Sequence, residues 1–274
     1  MTYRQICDAF RAAGIESAEW DAELLLEHFC GADRLGLRAE PDRVWSSPAL
    51  AAAVEKRASR YPLQYLLGEW AFYRQTYEVS PDCLIPRADT EILVEEAIKR
   101  LPKNARFADL CTGSGCIAIA MADLRPDLSG CAVELYPATL EIAKRNAQIN
   151  RVASRLTFIE GDVLSGEVLG DEKFEAIISN PPYIRSEIIE TLSREVRHEP
   201  RAALDGGEDG LIFYRTIVEK YQRNLSDGGV FIFEIGYDQA DAIKEIASAN
   251  SFSARIIKDL GGCDRVAILS RTKD

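Results

Sequence analysis

The segment "RFADLCTGSGCIAIAMADL", residues 106–124, decides how the rest of the chain is read. "RFADL" predicts a strand with an acid, Asp109, near its end; Gly113 and Gly115 mark a turn, and "CIAIAMADLR" continues as a helix. Glycine takes up positive φ at little cost and lets the main chain approach a ligand closely. In open α/β sheets ligands lie beyond the carboxyl ends of the strands, so this turn is where a nucleotide-like cofactor would sit.

Outward from this unit the grammar repeats. Downstream, "SGCAVEL" (129–135), "RLTFIEGD" (155–162), "FEAIISN" (174–180) and "GGVFIFEIG" (228–236) predict strands. Between them lie helices at "PATLEIAKRNAQIN" (137–150), opened by Pro137, and "GLIFYRTIVEKYQRNL" (210–225). Helix "YDQADAIKEIASAN" (237–250) and strands "SARIIKDL" (253–260) and "DRVAILSR" (264–271) close the chain, and helix "TEILVEEAIKRL" (90–101), with Thr90 as candidate cap, opens the repeat. Parallel neighbours need crossover connections, so alternating strands and helices imply a largely parallel sheet covered on both faces, a doubly wound α/β fold.

Upstream the pattern differs. "ICDAFRAAGI", "SAEWDAELLLEHFC" and "SPALAAAVEKRASR" carry apolar residues three and four apart, with Ser17 and Ser47 as candidate N-caps, which predicts a small helical module over residues 1–68. "GEWAFYRQTYEVS" (68–80) alternates aromatic and β-branched residues with polar ones and predicts a hairpin, so residues 69–88 read as a connector and 89–274 as the α/β domain.

The 274 residues suffice for two modest domains, each with its own core. No apolar run approaches the roughly 20 residues of a membrane span, and "MTYRQICDAF" lacks the marks of a secretory signal, so a cytoplasmic protein is expected. Seven cysteines with no CxxC pair and no histidine cluster argue against zinc and a disulfide framework; Cys111, Cys116 and Cys131 read as small core residues. The net charge of −11 is spread along the chain and disfavours a nucleic-acid substrate.

Three consecutive predicted strands end in acids: Asp109, Glu134 and Asp162. Gly113 to Ala118 also satisfies the dinucleotide pattern GxGxxA, with Glu134 near the offset of a ribose carboxylate, so a nicotinamide enzyme is one alternative. Asp109 moves the balance toward S-adenosylmethionine, because a carboxylate there attracts an ammonium and a sulfonium and opposes a pyrophosphate. Asp162 is placed to accept from the amino group of adenine.

The fourth strand ends in "NPPY", Asn180-Pro181-Pro182-Tyr183. Two prolines stiffen the loop and remove competing donors. A planar NH₂ group can be accepted by the Asn180 side-chain oxygen and the Pro181 carbonyl while Tyr183 stacks on its plane. Orientation and acceptors that strengthen as the nitrogen becomes positive suit amine methylation without a strong base.

Together "DLCTGSG", "AVELYPATLEIAKRNA", "GD" and "SNPPY" resemble a class I S-adenosylmethionine-dependent methyltransferase with a Rossmann-like fold. "YPLQYLLGEWAFY", "LIPRADTEILVE", "VRHEPRAALDGGEDGLIFYR", "GGVFIFEIGYDQ" and "DLGGCDRVAI" narrow the resemblance to the PrmC/HemK family of protein-(glutamine-N5) methyltransferases. The resemblance implies methylation of the glutamine in the Gly-Gly-Gln loop of class 1 peptide chain release factors, with the N-terminal helices helping to bind the factor. It implies S-adenosyl-L-methionine as cofactor, S-adenosyl-L-homocysteine as product, no metal, and no membrane or direct nucleic-acid partner.

By residue, the resemblance puts Asn180, Pro181, Pro182, Tyr183 and Arg87 at the substrate and Asp109, Thr112, Gly113, Gly115, Glu134, Asp162 and Asn180 around the cofactor. A plainer reading of Arg87 is an exposed salt bridge. The chain departs from the family in Cys111, where glycine is common and ordinary backbone angles are expected of a cysteine, in Glu134 for aspartate and in Ala88 for proline. The alternatives are a glutamine methyltransferase of a ribosomal protein, a nucleic-acid adenine-N6 methyltransferase, and a cofactor-binding module without catalysis.

Overall fold

The computed structural model describes residues 1–272 and divides into two units: Met1–Glu69 with Leu192–His198, and the remainder. The apolar spacing of the first becomes five helices, α1 (Tyr3–Ala12), α2 (Ala18–Cys30), α3 (Arg34–Ala39), α4 (Pro48–Ala58) and α5 (Leu63–Leu67). Ile6, Phe10, Leu25, Leu26 and Val54 share its core. Ser47 caps α4 by accepting from Leu50 N at 3.3 Å. Ser17 makes no cap: its hydroxyl donates to Asp21, whose carboxylate is held by Arg57 Nε at 2.7 Å.

In the second unit, β1 (Glu69–Phe72) and β2 (Gln75–Glu78) form the expected hairpin, and Phe72 and Tyr77 enter the core beside helix α6 (Thr90–Arg100). The strands and helices that follow are β3 (Arg106–Leu110), α7 (Cys116–Leu124), β4 (Ser129–Glu134), α8 (Pro137–Ile149), β5 (Leu156–Glu160) and β6 (Phe174–Ser179). The chain then runs through α9 (Ile212–Tyr221), β7 (Leu225–Glu234), α10 (Ala240–Ala249), β8 (Phe252–Lys258) and β9 (Asp264–Arg271). β7 starts three residues before the expected glycines, because α9 gives way to a 3₁₀ turn at Gln222–Asn224.

The seven strands run in the order β5-β4-β3-β6-β7-β9-β8. The first five are mutually parallel; β9 lies antiparallel between β7 and β8. β3 and β6 read as continuous apolar runs because both sheet faces are covered: Leu93, Ile119 and Met121 pack on one side, Tyr214, Ile217 and Ile243 on the other. The chain leaves β3 toward β4 on one side and meets β6 on the other, so the crevice where strand order reverses opens at the carboxyl ends of β3 and β6. Ser179 Oγ donates to Leu110 O at 2.5 Å and ties those two ends together.

Candidate active site

A cavity of about 400 Å³ opens at this crevice. That is within the range of small-molecule sites. Thr112, Gly113, Glu134, Asp162, Asn180, Pro182 and Arg87 line it, so the sequence brings most of its candidate residues to one place. Asp109, Gly115 and Tyr183 are not part of the lining and act from behind it; Pro181 is outside the lining too, between two residues, Asn180 and Pro182, that belong to it.

The turn after β3 holds three positive φ angles, at Cys111 (60°), Gly113 (57°) and Gly115 (83°). Cys111 therefore does not keep the ordinary backbone angles expected of it: it occupies the left-handed conformation that a glycine would take without strain. Its side chain is half-buried against the cavity, whereas Cys116 and Cys131 are buried as expected. Gly115 has a different reason to be glycine, since a Cβ would stand 2.9 Å from Ile119 Cδ1 and 3.2 Å from Ala143 Cβ, where α7 meets α8. At Gly113 nothing lies within 4 Å, which leaves that face of the main chain open.

Asp109 corrects a simple expectation. It is wholly buried and holds the turn from inside: Oδ2 accepts from Thr112 Oγ1 at 2.5 Å and Ala118 N at 3.2 Å, while Oδ1 has no partner. Burial pushes its pKa up to about 7 against the pull of those two hydrogen bonds. Glu134, at the end of β4, accepts from Gly113 N at 3.0 Å through Oε2 and from Leu135 N and Tyr136 N at 3.0 and 3.1 Å through Oε1. Burial holds its pKa above the usual range as well. Asp162 follows β5, caps a 3₁₀ turn by accepting from Leu164 N at 2.8 Å, and faces the cavity.

Asn180 follows β6 and donates through Nδ2 to Thr90 Oγ1 at 3.4 Å. Thr90 is not the cap that its position suggests. Asp89 precedes the helix without a side-chain cap, and the Thr90 hydroxyl donates to Glu234 Oε2 at 2.6 Å. Tyr183 turns its hydroxyl to the other oxygen, Glu234 Oε1, at 3.3 Å, and burial beside that carboxylate keeps the phenol protonated far above its ordinary range. Gln239 Nε2 donates to Tyr183 O at 3.0 Å, so the loop is gripped at both main chain and side chain from the end of β7.

A second loop clamps "NPPY" from outside. Ile184 N donates to Leu204 O at 2.9 Å and Gly206 N to Ile184 O at 2.8 Å. A Cβ on Gly206 would meet Tyr183 Cα at 2.7 Å, and one on Gly210 would meet Tyr183 O at 2.4 Å. This gives the glycines of "LDGGEDG" a packing reason that sequence reading missed. Arg87 is more than an exposed ion pair: it contacts the buried carboxylate of Glu199, whose Oε2 accepts from Ile85 N at 3.1 Å and so pins the segment along the cavity wall. Glu234, Thr90, Gln239 and Glu199 were the residues missed; only Glu234 carried a signal, as an acid ending a strand at the same sheet edge.

The arrangement offers carboxylates for hydroxyl and amino groups, open main chain at Gly113 and an amide carbonyl at Asn180, with no strong base. Among the described residues no cluster of His, Cys, Asp or Glu is placed to hold a metal ion, and no helix is long and apolar enough to cross a membrane.

The PrmC N-terminal domain model matches residues 2–68 and the methyltransferase small domain model residues 88–229. The chain is 42% identical over 274 residues to the release factor glutamine methyltransferase of Geobacter sulfurreducens, covering 97% of this chain and 95% of the relative. It is 38% identical over 286 residues to that of Moorella thermoacetica, covering 100% of both. Among solved structures a methyltransferase from Pyrococcus furiosus, 19% identical, shares the fold with a TM-score of 0.55 over 73% of this chain and 90% of that one. An α/β domain of class I methyltransferase architecture, matched together with the N-terminal module by relatives covered almost end to end, makes this chain a member of the release factor glutamine methyltransferase family.

Proposed function

We propose that this enzyme methylates the N5 side-chain nitrogen of the glutamine in the Gly-Gly-Gln segment of a class 1 peptide chain release factor, with S-adenosyl-L-methionine as donor. When bound, that cofactor would supply a methyl group on a sulfonium, with S-adenosyl-L-homocysteine as its product. The observation that carries the reading is Asn180: it lines the cavity, and its NH₂ is engaged by Thr90, which leaves its carbonyl oxygen as the acceptor for a substrate.

The residues present fit the cofactor. Glu134 offers roughly four acceptor sites, of which three are taken by N–H groups, leaving one for a ribose hydroxyl. Asp162, on the cavity wall, would accept from the adenine amino group, and the open face of Gly113 would let the cofactor approach the main chain. Asp109 and Thr112 shape the turn beneath it.

An amide nitrogen has a delocalised lone pair and is a weak nucleophile. The chain's contribution is to hold the glutamine NH₂ between the Asn180 oxygen and the Pro181 carbonyl, acceptors that gain strength as the nitrogen becomes positive. Tyr183, gripped by Glu234 and Gln239, fixes the loop that carries both. Substrate choice falls to the N-terminal helical unit and to the Arg87 segment; the match to release factor enzymes along the whole chain supports the release factor.

The test is transfer of label from S-adenosylmethionine, with a release factor, a ribosomal-protein extract and duplex DNA offered separately. Label is expected in the release factor and lost when its Gly-Gly-Gln glutamine becomes alanine; label only in another arm overturns the substrate. Asn180→Ala is expected to lower the transfer rate by a hundredfold or so, far more than it lowers cofactor affinity.

A further inference from the structure

Glu234 ends the fifth parallel strand at the same edge as the cavity, yet it is 2% exposed and does not line it. A buried carboxylate is costly, and here it is retained with a hydroxyl on each oxygen: Thr90 on Oε2 at 2.6 Å and Tyr183 on Oε1 at 3.3 Å. Its main-chain carbonyl is held as well, by Tyr214 Oη at 2.8 Å.

The polarity of this chain of bonds matters more than its strength. Glu234 receives the Thr90 hydroxyl proton, so the Thr90 oxygen is left with lone pairs only. It can therefore accept from Asn180 but not donate to it, and the Asn180 NH₂ must turn toward Thr90. An asparagine side chain is nearly symmetric in shape, so without such a lock it can present either its oxygen or its NH₂ to the cavity. Only the first orientation accepts from a substrate NH₂; the second repels it.

We infer that Glu234 is a positioning residue that acts through Thr90 to fix the flip of the Asn180 amide, an inference that rests on Asn180 being the acceptor of the substrate amide. Tyr183, bonded to the other oxygen, couples the far end of the "NPPY" loop to the same carboxylate. Glu234 touches neither substrate nor cofactor.

Glu234→Gln keeps shape and hydrogen-bonding capacity while introducing a donor. In the flip that turns the glutamine NH₂ to Thr90, the hydroxyl proton is driven toward Asn180, whose oxygen then turns away from the cavity; the opposite flip, with the NH₂ on Tyr183, keeps the relay, so Thr90→Val is the deciding variant. Thr90→Val removes the relay by an independent route that does not depend on how Glu234→Gln folds. With a release factor as substrate, Thr90→Val and, in the first flip, Glu234→Gln are expected to lower kcat by roughly ten- to a hundredfold, the range found when a group that orients a functional ligand is lost, with cofactor Kd unchanged. Thr90→Ser restores most of the loss, and the double variant Glu234→Gln/Thr90→Val is no slower than the slower single, because both act on one relay.

A merely structural role predicts instead that both variants lower the melting temperature and add in combination. The inference is overturned if Glu234→Gln and Thr90→Val keep kcat within about twofold of the parent while Asn180→Ala is inactive. If Asn180→Ala itself transfers methyl at the parental rate, the reading of Asn180 falls, and this inference with it.

Discussion

The main-chain N–H of Gly113 donates to Glu134 Oε2 at 3.0 Å, so the turn after β3 is held by the carboxylate that ends β4. The carboxylate and the glycine turn therefore fix each other.

Removing that carboxylate has two costs at once. Glu134→Ala deletes an acceptor for a hydroxyl and frees three N–H groups, including Gly113 N, in a largely buried site. Hydrogen bonds to a charged group contribute about 1.5–3 kcal/mol. Cofactor affinity by calorimetry is expected to fall between about ten- and a hundredfold, and Glu134→Gln, which keeps one acceptor oxygen, to fall less. Unchanged affinity in Glu134→Ala would falsify the ribose assignment.

Asp109 makes stability depend on pH in a direction opposite to most carboxylates. Its pKa in the folded chain rises to about 7, whereas an unfolded aspartate titrates near 3.9. Between those values the native state keeps a proton that the unfolded chain has released. The stabilisation is complete below about pH 4 and is lost as pH climbs through about 7. Asp109→Asn has the same shape and does not titrate. In urea unfolding, the stability of the variant relative to the parent is expected to improve by about 1–3 kcal/mol between pH 5 and pH 8.5. A constant difference across that range would rule out the buried proton.

What the sequence made legible was local. Period and punctuation place Asp109, Glu134, Asp162 and Asn180 at the ends of neighbouring strands, because a strand of five or six residues with an apolar run, followed within a few residues by glycine or proline, needs no distant information. Thr90 was misread for the same reason: a threonine beginning a helix is a cap by local rule, and its true partner, Glu234, lies 144 residues away. The stretch from 199 to 210 has no period to read; it holds a short 3₁₀ turn, and main-chain bonds from Leu204 and Gly206 to Ile184 press it onto the end of "NPPYI". Cys111 hid a left-handed residue behind a side chain that ordinarily argues against one.

The strain at Cys111 can be measured. Left-handed angles cost a non-glycine residue about 1–3 kcal/mol, while glycine adds about 0.5–1 kcal/mol of unfolded-state entropy. Cys111→Gly is therefore expected to be as stable as the parent or up to about 2.5 kcal/mol more stable. Cys111→Val, with a β-branched side chain at φ 60°, is expected to lose about 2 kcal/mol or more. Equal melting temperatures for the parent and the valine variant would mean that the turn relaxes freely.

The two glycine-bearing loops are expected to fail differently. Alanine at Gly210 puts a Cβ 2.4 Å from Tyr183 O and 2.9 Å from Gln239 Nε2, at a φ of 75° that alanine already resists. The main chain of Tyr183 must move, and with it the carbonyl and amide that flank it on the substrate side. A misplacement of about 1 Å costs on the order of a hundredfold in rate, so Gly210→Ala should lower kcat by that order with cofactor Kd little changed. Alanine at Gly113 meets nothing within 4 Å of protein and adds bulk only on the open face toward the cofactor. Its effect should therefore appear in cofactor Kd, by roughly tenfold, beyond the about 1 kcal/mol that positive φ takes from stability. The reverse pattern, with Gly113→Ala slow at full cofactor affinity and Gly210→Ala defective in cofactor binding, would place the substrate amide at the glycine turn and not at "NPPY".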